Sequence, residues 1–247
     1  MVVAPTFLSG ITEDAVVAAC GALLAFVGNE TIKSENRKIH AGKYRFLKKL
    51  PLQIAPITKR AVGQALAVAE KQLGDSYIQA SDFLDPKHVS LCALHHGSVV
   101  GFVIAKRLSA EEFKSRYPRA AEALGRQLAY ADTVGFIASL ATAPGFEKRG
   151  IANTLLQMSL ARLEKDWGGK SARPAFVCTL GWRGREPVAH IDGLVRKAGF
   201  QPVHEFADYW KDDSLAKGYK CPTCGDPPCR CSAVLFVRHT APIRTNV

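Results

Sequence analysis

The chain has 247 residues, of which 47% are hydrophobic and 22% charged, so the sequence predicts a folded protein rather than a disordered or fibrous one. Its formal net charge of +11 at pH 7 favours an anionic ligand or partner. The longest apolar run, residues 15–28, is too short to span a bilayer, and acidic residues precede it where a signal peptide would have basic ones. We therefore expect a cytoplasmic protein with reduced thiols and no membrane partner.

Residues 1–49 are predicted to form an N-terminal helical appendage with a basic connector. A helix is expected over residues 13–27, because this segment is apolar and Ser9 or Thr12 can cap it. Residues 31–60 then carry nine lysine and arginine residues and one acid. This basic segment is either a solvated connector or a surface that contacts a polyanion.

From residue 50 to residue 240 the pattern predicts one domain of mixed strands and helices. Strands are expected at residues 52–56, 88–95, 99–106, 134–143, 174–180, 200–209 and 233–239. Helices are expected at residues 58–73, 76–84, 109–130, 150–166 and 188–197, with residues 181–184 as a loop. This order favours a mixed α/β sheet.

The segment from Leu140 to Ala152 has the pattern of a strand end, a turn and a helix start. Pro144 and Gly145 end an apolar run, and apolar residues recur at helical spacing after Gly150. Such a turn leaves backbone N–H groups unpaired at a helix N-terminus, where a phosphate or pyrophosphate binds well. Gly150 and Ala152 leave room for the close approach of an anion.

The letters Glu147-Lys-Arg-Gly150-Ile-Ala152 resemble the Gln/Arg-x-x-Gly-x-Gly/Ala signature of the GNAT superfamily, the acetyl-CoA-dependent N-acyltransferases. Lys197-Ala-Gly-Phe200 is similar to the helix-to-strand junction that closes the fold of that family. The resemblance implies an α/β (α+β) fold over roughly residues 50–240, with a mixed, mostly antiparallel central sheet flanked by helices. It also implies acetyl-CoA as a cosubstrate and an amine as the acceptor. An ordinary strand–turn–helix joint without a ligand is the alternative.

The resemblance also implies which residues bind the cosubstrate. The end of the strand pairs its backbone with the pantetheine arm, and the amides of the turn hold the pyrophosphate of coenzyme A. The implied binding residues are Leu140, Ala141, Thr142, Glu147, Lys148, Arg149, Gly150, Ile151 and Ala152.

The usual proton-transferring groups of this family are absent from the matching positions. The tyrosine that protonates the coenzyme A sulfur falls at Val195, the asparagine at Val188 and the glutamate near Phe136. Asp132 and His190 are the substitutes that the sequence suggests as catalytic residues, the alternatives being a strand-entry role and an exposed helix position. Because a thiolate is a tolerable leaving group, the loss of one acid predicts slower turnover rather than none.

Four of the seven cysteines lie within eleven residues, at Cys221, Cys224, Cys229 and Cys231. The Cys-x-x-Cys-Gly half is typical of a metal-binding turn, and four thiolates satisfy the tetrahedral preference of zinc. We expect a structural zinc ion in a cysteine-rich loop at residues 219–232, because four sulfur ligands leave no open position for catalysis. His204 or His239 as a substitute ligand, free thiols and disulfides are the alternatives.

Three functions follow from these features. The first is an acetyltransferase that moves an acetyl group from acetyl-CoA to an amine that the sequence does not identify. The second is an RNA- or other polyanion-directed protein, but nucleic acid is not the favoured partner, because the aromatic residues are too scattered to form a stacking platform. The third is a non-catalytic acyl-CoA-binding module, which is favoured because Val195 stands where the family has its proton-donating tyrosine. The sequence does not specify an oligomeric state.

Overall fold

A computed structural model describes residues 51–165, 174–184 and 190–240. The chain divides at about residue 45 into two units, and all described residues belong to the second. The predicted appendage at residues 1–49 and its helix lie outside the described residues. Among the residues described, no helix combines the length and the apolar content that a bilayer-spanning segment needs.

The described elements follow one another in a mixed α and β order. The strands are β1 Leu52–Pro56, β2 His88–His95, β3 Ser98–Ser109, β4 Thr133–Thr142, β5 Phe176–Arg183, β6 Gln201–Phe206 and β7 Ser232–His239. The helices are α1 Lys59–Leu73, α2 Ala80–Leu84, α3 Ala110–Arg116, α4 Pro118–Leu124, α5 Arg126–Ala129, α6 Ile151–Glu164, α7 Asp192–Lys197 and α8 Lys211–Lys217.

These strands form one seven-stranded sheet within the described ranges, in the order β1-β2-β3-β4-β5-β7-β6. The pair β4–β5 is parallel, and the other neighbouring pairs are antiparallel. Helix α6 makes the crossover between the two parallel strands, which cannot be joined by a tight turn. The predicted mixed, mostly antiparallel sheet flanked by helices is therefore confirmed.

Helices α1 and α6 cover opposite faces of the sheet, as the alternation of side chains along β3 shows. Phe102 belongs to a buried cluster with Val62 and Ala65 of α1. A side chain at the next residue, Gly101, would come within 3.0 Å of Ile151 at the start of α6. Since successive residues of a strand point to opposite faces, the two helices lie on the two sides of the sheet.

Helices α3 to α5 build a second buried cluster over the other half of the sheet. Phe113 and Leu128 are almost fully buried there against Phe136, Phe176 and the strands around them. The helical character predicted for residues 109–130 is therefore correct, although the segment consists of three short helices. Gly125 separates the last two at a positive φ of 48°.

Several element boundaries differ from the sequence prediction. The predicted loop at residues 181–184 was wrong, because β5 continues to Arg183 and pairs with β7 as far as Ser232. The predicted helix at residues 76–84 shortens to Ala80–Leu84, and the strand expected at residues 200–209 ends at Phe206. Helix α8 was missed. Its mixture of charged and small residues has no apolar stripe from which a helix could be read.

Candidate active site

Strands β4 and β5 pair over part of their length and then separate. The parallel ladder joins Val134–Ile137 to Phe176–Thr179, and the hydroxyl of Thr179 donates a 2.9 Å hydrogen bond to the Ile137 carbonyl at its end. Beyond that point β4 keeps its pairing with β3 but has no partner among the described strands on its other edge. The register of β3 and β4 shifts here, with Ala138 as the extra residue. A bulge of this kind bends a strand and re-aims its edge.

The separated strands enclose a cavity of 320 Å³, which we call the first cavity. Its walls include Leu140, Ala141 and Thr142 of β4, three of the predicted binding residues. Val195 of α7, at the position of the missing tyrosine, is 1% exposed and also lines it. The unpaired edge of β4 therefore offers backbone N–H and C=O groups to any extended molecule that enters this cavity.

The turn from Ala143 to Gly150 connects this strand edge to helix α6. The N–H of Phe146 donates to the Ala143 carbonyl at 3.0 Å, and Gly145, Lys148 and Gly150 all have positive φ values of 81°, 58° and 83°. Gly150 is the N-cap residue of α6, and no side chain caps the helix. A helix N-terminus of this kind can offer its first N–H groups, those of Ile151 and Ala152, to a ligand or to water, as an anion site requires.

The carboxylate of Glu147 interacts with backbone amides of this turn. The backbone amides of Glu147 itself, Gly145 and Phe146 lower the pKa of its carboxyl group, and its own amide contributes most. The side chain of Gln72 on α1 donates to the same carboxylate at 3.4 Å. A negatively charged group thus already lies close to amides of this turn.

The two predicted catalytic residues lie in different places. His190 lines the first cavity, where its ring stacks on the Trp182 ring with centroids 4.7 Å apart and its backbone N–H donates to the Trp182 backbone carbonyl at 3.0 Å. Asp132 is exposed just before β4, and its carbonyl accepts the Ala110 N–H at 3.3 Å. Asp132 lines neither of the two cavities described here, since it precedes the first residue of β4 and the bulge lies in the middle of that strand.

A second cavity of 490 Å³ opens beside the first. Both cavities are lined by the same five residues around the bulge of β4, which are Tyr77, Ala138, Ser139, Leu180 and Trp210. A group held in one cavity can therefore meet a group held in the other at this point. We call these five residues the junction.

The outer walls of the second cavity carry charges of both signs. Lys106 of β3 is 8% exposed, lies 3.8 Å from Asp82 and has a pKa lowered by burial. Lys217 and Asp213 form a 2.8 Å ion pair on α8. Tyr209 lines the same cavity. The wall is thus polar and aromatic, which suits a polar acceptor better than a purely apolar one.

The four clustered cysteines come together in space. The thiol sulfurs of Cys221, Cys224, Cys229 and Cys231, which we call the cysteine cluster, all lie within 4.8 Å of one another. Two of these distances are 3.5 Å and 3.7 Å. A tetrahedral zinc ion with Zn–S bonds of about 2.3 Å requires sulfurs about 3.8 Å apart, so the donor set fits this metal. Neither His204 nor His239 belongs to the group.

Backbone amides support the cluster as they do in metal-binding turns. The N–H of Cys224 points to the sulfur of Cys221 at 3.5 Å, and the N–H of Arg230 points to the sulfur of Cys224 at 3.4 Å. Gly225 has a positive φ of 79° and exchanges two 2.9 Å hydrogen bonds with Cys221. Donors aimed at sulfur stabilise thiolates, the form in which cysteine binds metals.

The cysteine cluster also forms part of the wall of the first cavity. Cys221 and Cys229 line the cavity, and Trp182 and Trp210 pack against the cluster. The side chain of Ser214 on α8 accepts the Cys229 N–H at 2.9 Å. The cysteine-rich loop at residues 219–232 therefore contacts the first cavity directly.

Tyr77, which lies in the connection between α1 and α2, was not predicted from the sequence to be part of the site. A lone tyrosine in a connecting segment carries no local signal of function. Its place at the junction depends on contacts with residues more than 130 positions away, Trp210 and Tyr219 among them.

Comparison with known proteins agrees with this geometry. Residues 58–173 match the model of the acetyltransferase (GNAT) family. No curated protein matches the chain at a significant level. Among solved structures, the Escherichia coli ribosomal-protein-S18-alanine N-acetyltransferase superposes with a TM-score of 0.51 and 12% identity, over 79% of this chain and 98% of that one.

Two eukaryotic structures show the same fold. Arabidopsis thaliana NAA60 in complex with acetyl-CoA has a TM-score of 0.51 and 16% identity, over 76% of this chain and 98% of its own. The Drosophila melanogaster polyamine N-acetyltransferase has a TM-score of 0.50 and 14% identity, over 76% and 100%. At such identities the likeness concerns the fold, while the family assignment rests on the match at residues 58–173. The chain therefore carries a domain of the GNAT acetyltransferase family.

Proposed function

We propose that this protein is an acetyl-CoA-dependent N-acetyltransferase that uses the first cavity for the cosubstrate and the second for an amine acceptor. The observation that carries the proposal is the separation of β4 from β5 next to an uncapped helix N-terminus. An unpaired strand edge suits the amide groups of pantetheine, and the turn suits a pyrophosphate. Leu140, Ala141 and Thr142 supply the strand edge, and residues 147–152 supply the turn.

The shared junction explains how the two substrates meet. With the thioester at the junction, an unprotonated amine arriving from the second cavity attacks the carbonyl carbon. The C–N bond forms, the C–S bond then breaks, and the products are an amide and the coenzyme A thiol. A backbone N–H of β4 near Leu140 is placed to stabilise the oxyanion, because this edge makes no ladder bonds with the described strands.

Among the residues predicted to be catalytic, His190 remains a candidate for proton transfer because it lines the first cavity. We do not propose a catalytic role for Asp132, since it lines neither cavity. Lys148 and Arg149 are exposed beside the turn, where their charges complement the phosphates of coenzyme A. The net charge of +11 suits such an anionic cosubstrate.

We also propose that the cysteine cluster holds one structural zinc ion through Cys221, Cys224, Cys229 and Cys231. The sulfur separations fit a tetrahedral site, and four thiolates leave no position open for a substrate. The metal would stabilise a loop that buries little apolar surface of its own. Reduced, metal-binding thiols agree with a cytoplasmic location, which we propose for the protein.

A panel of amines tests the transferase function. We expect coenzyme A thiol to be released from acetyl-CoA in the presence of at least one class of amine, among N-terminal peptides, polyamines, amino acids and hydroxylamine. Acetyl-CoA alone is expected to raise the melting temperature, because it binds the folded state.

The buried Val195 at the position of the family tyrosine favours a second candidate, a non-catalytic acyl-CoA-binding module. The same panel separates the two functions. A raised melting temperature without thiol release from any amine would favour the binding module, and absence of any shift would contradict both.

Replacing Glu147 with glutamine is expected to tighten acetyl-CoA binding on the order of fivefold, because the variant removes a negative charge from the anion-binding turn. The amide keeps the size of the side chain. Titration calorimetry at low and high salt checks this, and the gain should shrink at high salt because charge interactions are screened. Glu111, an exposed acid on α3, provides the matched control Glu111→Gln, which should not change the affinity. Weaker binding by Glu147→Gln would show instead that the carboxylate supports the turn.

A further inference from the structure

We propose that Tyr77 donates the proton that the coenzyme A sulfur takes up as it leaves. This inference rests on the proposed acetyltransferase function. It assigns a role to a residue outside the family signature, on the connection between α1 and α2 rather than on α7.

Tyr77 lies at the junction, where it lines both cavities. In the proposed reaction the thioester lies where the two cavities meet, so its sulfur leaves from this point toward the first cavity. Of the five junction residues, Tyr77 and Ser139 carry hydroxyl groups, and Trp210 carries an indole N–H. The other two, Ala138 and Leu180, have no side-chain proton to donate.

Trp210 is a neighbour of Tyr77 at the junction. Its indole side chain lies close enough to the Tyr77 phenol to lower the phenol pKa, against the larger effect of burial. Because an indole N–H can donate a hydrogen bond but cannot accept one, this group can stabilise the negative charge that develops on the phenol oxygen as the proton leaves.

Several contacts hold Tyr77 and the connection around it in place. Its ring meets the ring of Tyr219 edge-on, with centroids 5.3 Å apart. Asp75, two residues before it, forms an antiparallel bridge with Lys220. Gly74 packs so closely there that a side chain would come within 2.2 Å of the Lys220 carbonyl. The loop of the cysteine cluster thus positions the connection that carries Tyr77, as a catalytic group requires.

The protonation state fits an acid. Burial raises the pKa of Tyr77 to about 12, so the phenol keeps its proton at neutral pH. Burial in the same cavity also makes the leaving thiolate more basic, which narrows the difference in pKa between donor and acceptor. All bonds and protons of this step are accounted for. The C–S bond breaks and the phenolic proton passes to sulfur. The phenolate then regains a proton, through water, from the nitrogen that became the amide.

The test compares Tyr77→Phe with two control variants, using acetyl-CoA and hydroxylamine as well as the best amine from the panel. We expect Tyr77→Phe to lower kcat by about 100- to 10,000-fold, the usual contribution of a general acid. The Kd for acetyl-CoA should stay within about twofold, because the variant keeps the ring. Tyr130→Phe, at a tyrosine that is 86% exposed, should leave kcat unchanged. Ser139→Ala tests the other hydroxyl at the junction.

Each outcome decides the proposal. A large loss of kcat in Tyr77→Phe with unchanged acetyl-CoA binding supports it. Wild-type turnover in Tyr77→Phe, a loss of acetyl-CoA binding in that variant, or a large loss of kcat in Ser139→Ala alone overturns the acid role and leaves the transferase function standing. If the wild-type protein binds acetyl-CoA but releases no thiol with any amine, hydroxylamine included, the transferase function and the acid role are both overturned.

Discussion

Acetyl-CoA binding is expected to be lost when Gly150 is replaced by glutamate. Gly150 has a φ of 83° at the N-cap of α6, and nothing lies within 4 Å of where its Cβ would be, so the new side chain fits but points a negative charge into the anion-binding turn. Each charge-assisted hydrogen bond lost from the pyrophosphate costs about 1.5–3 kcal/mol, which is roughly a 10- to 150-fold rise in Kd. Titration calorimetry and the acetyl-CoA-induced shift in melting temperature measure the effect.

The matched control is Gly97→Glu in the turn between β2 and β3. Gly97 has a similar φ of 78° and equally open space, but it lines neither cavity. Both variants carry the strain of a side chain at positive φ, which costs about 1–2 kcal/mol of stability. Only Gly150→Glu should lose binding. Equal affinities in the two variants would remove the turn from the cosubstrate site.

Removal of the metal is expected to have the second large effect. In Cys224→Ser, one of the four sulfur ligands is lost, and we expect zinc content to fall from one ion per chain toward zero. Zinc binding contributes about 10–16 kcal/mol in small zinc fingers. If about 3 kcal/mol of that stabilisation is lost here, the melting temperature falls by about 6–12 °C. Metal analysis and thermal unfolding measure both quantities.

The affinity for acetyl-CoA should fall together with the zinc content, because Cys221 and Cys229 line the first cavity. Asp226→Asn is the control within the same loop. Asp226 is exposed and pairs with Lys220 at 3.1 Å, a surface ion pair worth little to stability. If the purified wild-type protein contains no metal and Cys224→Ser leaves the melting temperature unchanged, the cluster consists of free thiols. A chelator that removes zinc without altering acetyl-CoA binding would contradict the structural link to the cavity.

Local sequence patterns were sufficient to predict the features whose interacting residues lie close together in the chain. The apolar strand, the Pro144–Gly145 break and the helical periodicity after Gly150 determined the turn, and the structure has that turn at residues 143–150. The spacing of Cys221 to Cys231 likewise indicated that four thiols could meet, since the Cys-x-x-Cys-Gly pattern is typical of a metal-binding turn. In both cases the residues that interact are neighbours in the chain, so their chemistry can be read from their order.

The rest of the site was decided by tertiary structure. The opening between β4 and β5 depends on a register shift at Ala138 against a different strand, which no pattern within β4 reveals. Tyr77 reaches the junction because Lys220, Tyr219 and Trp210 hold it there from the far end of the chain. Asp132 has suitable chemistry but is separated from the bulge by the first half of β4. The pairing of strands that are distant in sequence sets how far each residue lies from the site, and the composition and periodicity of one segment do not reveal that pairing.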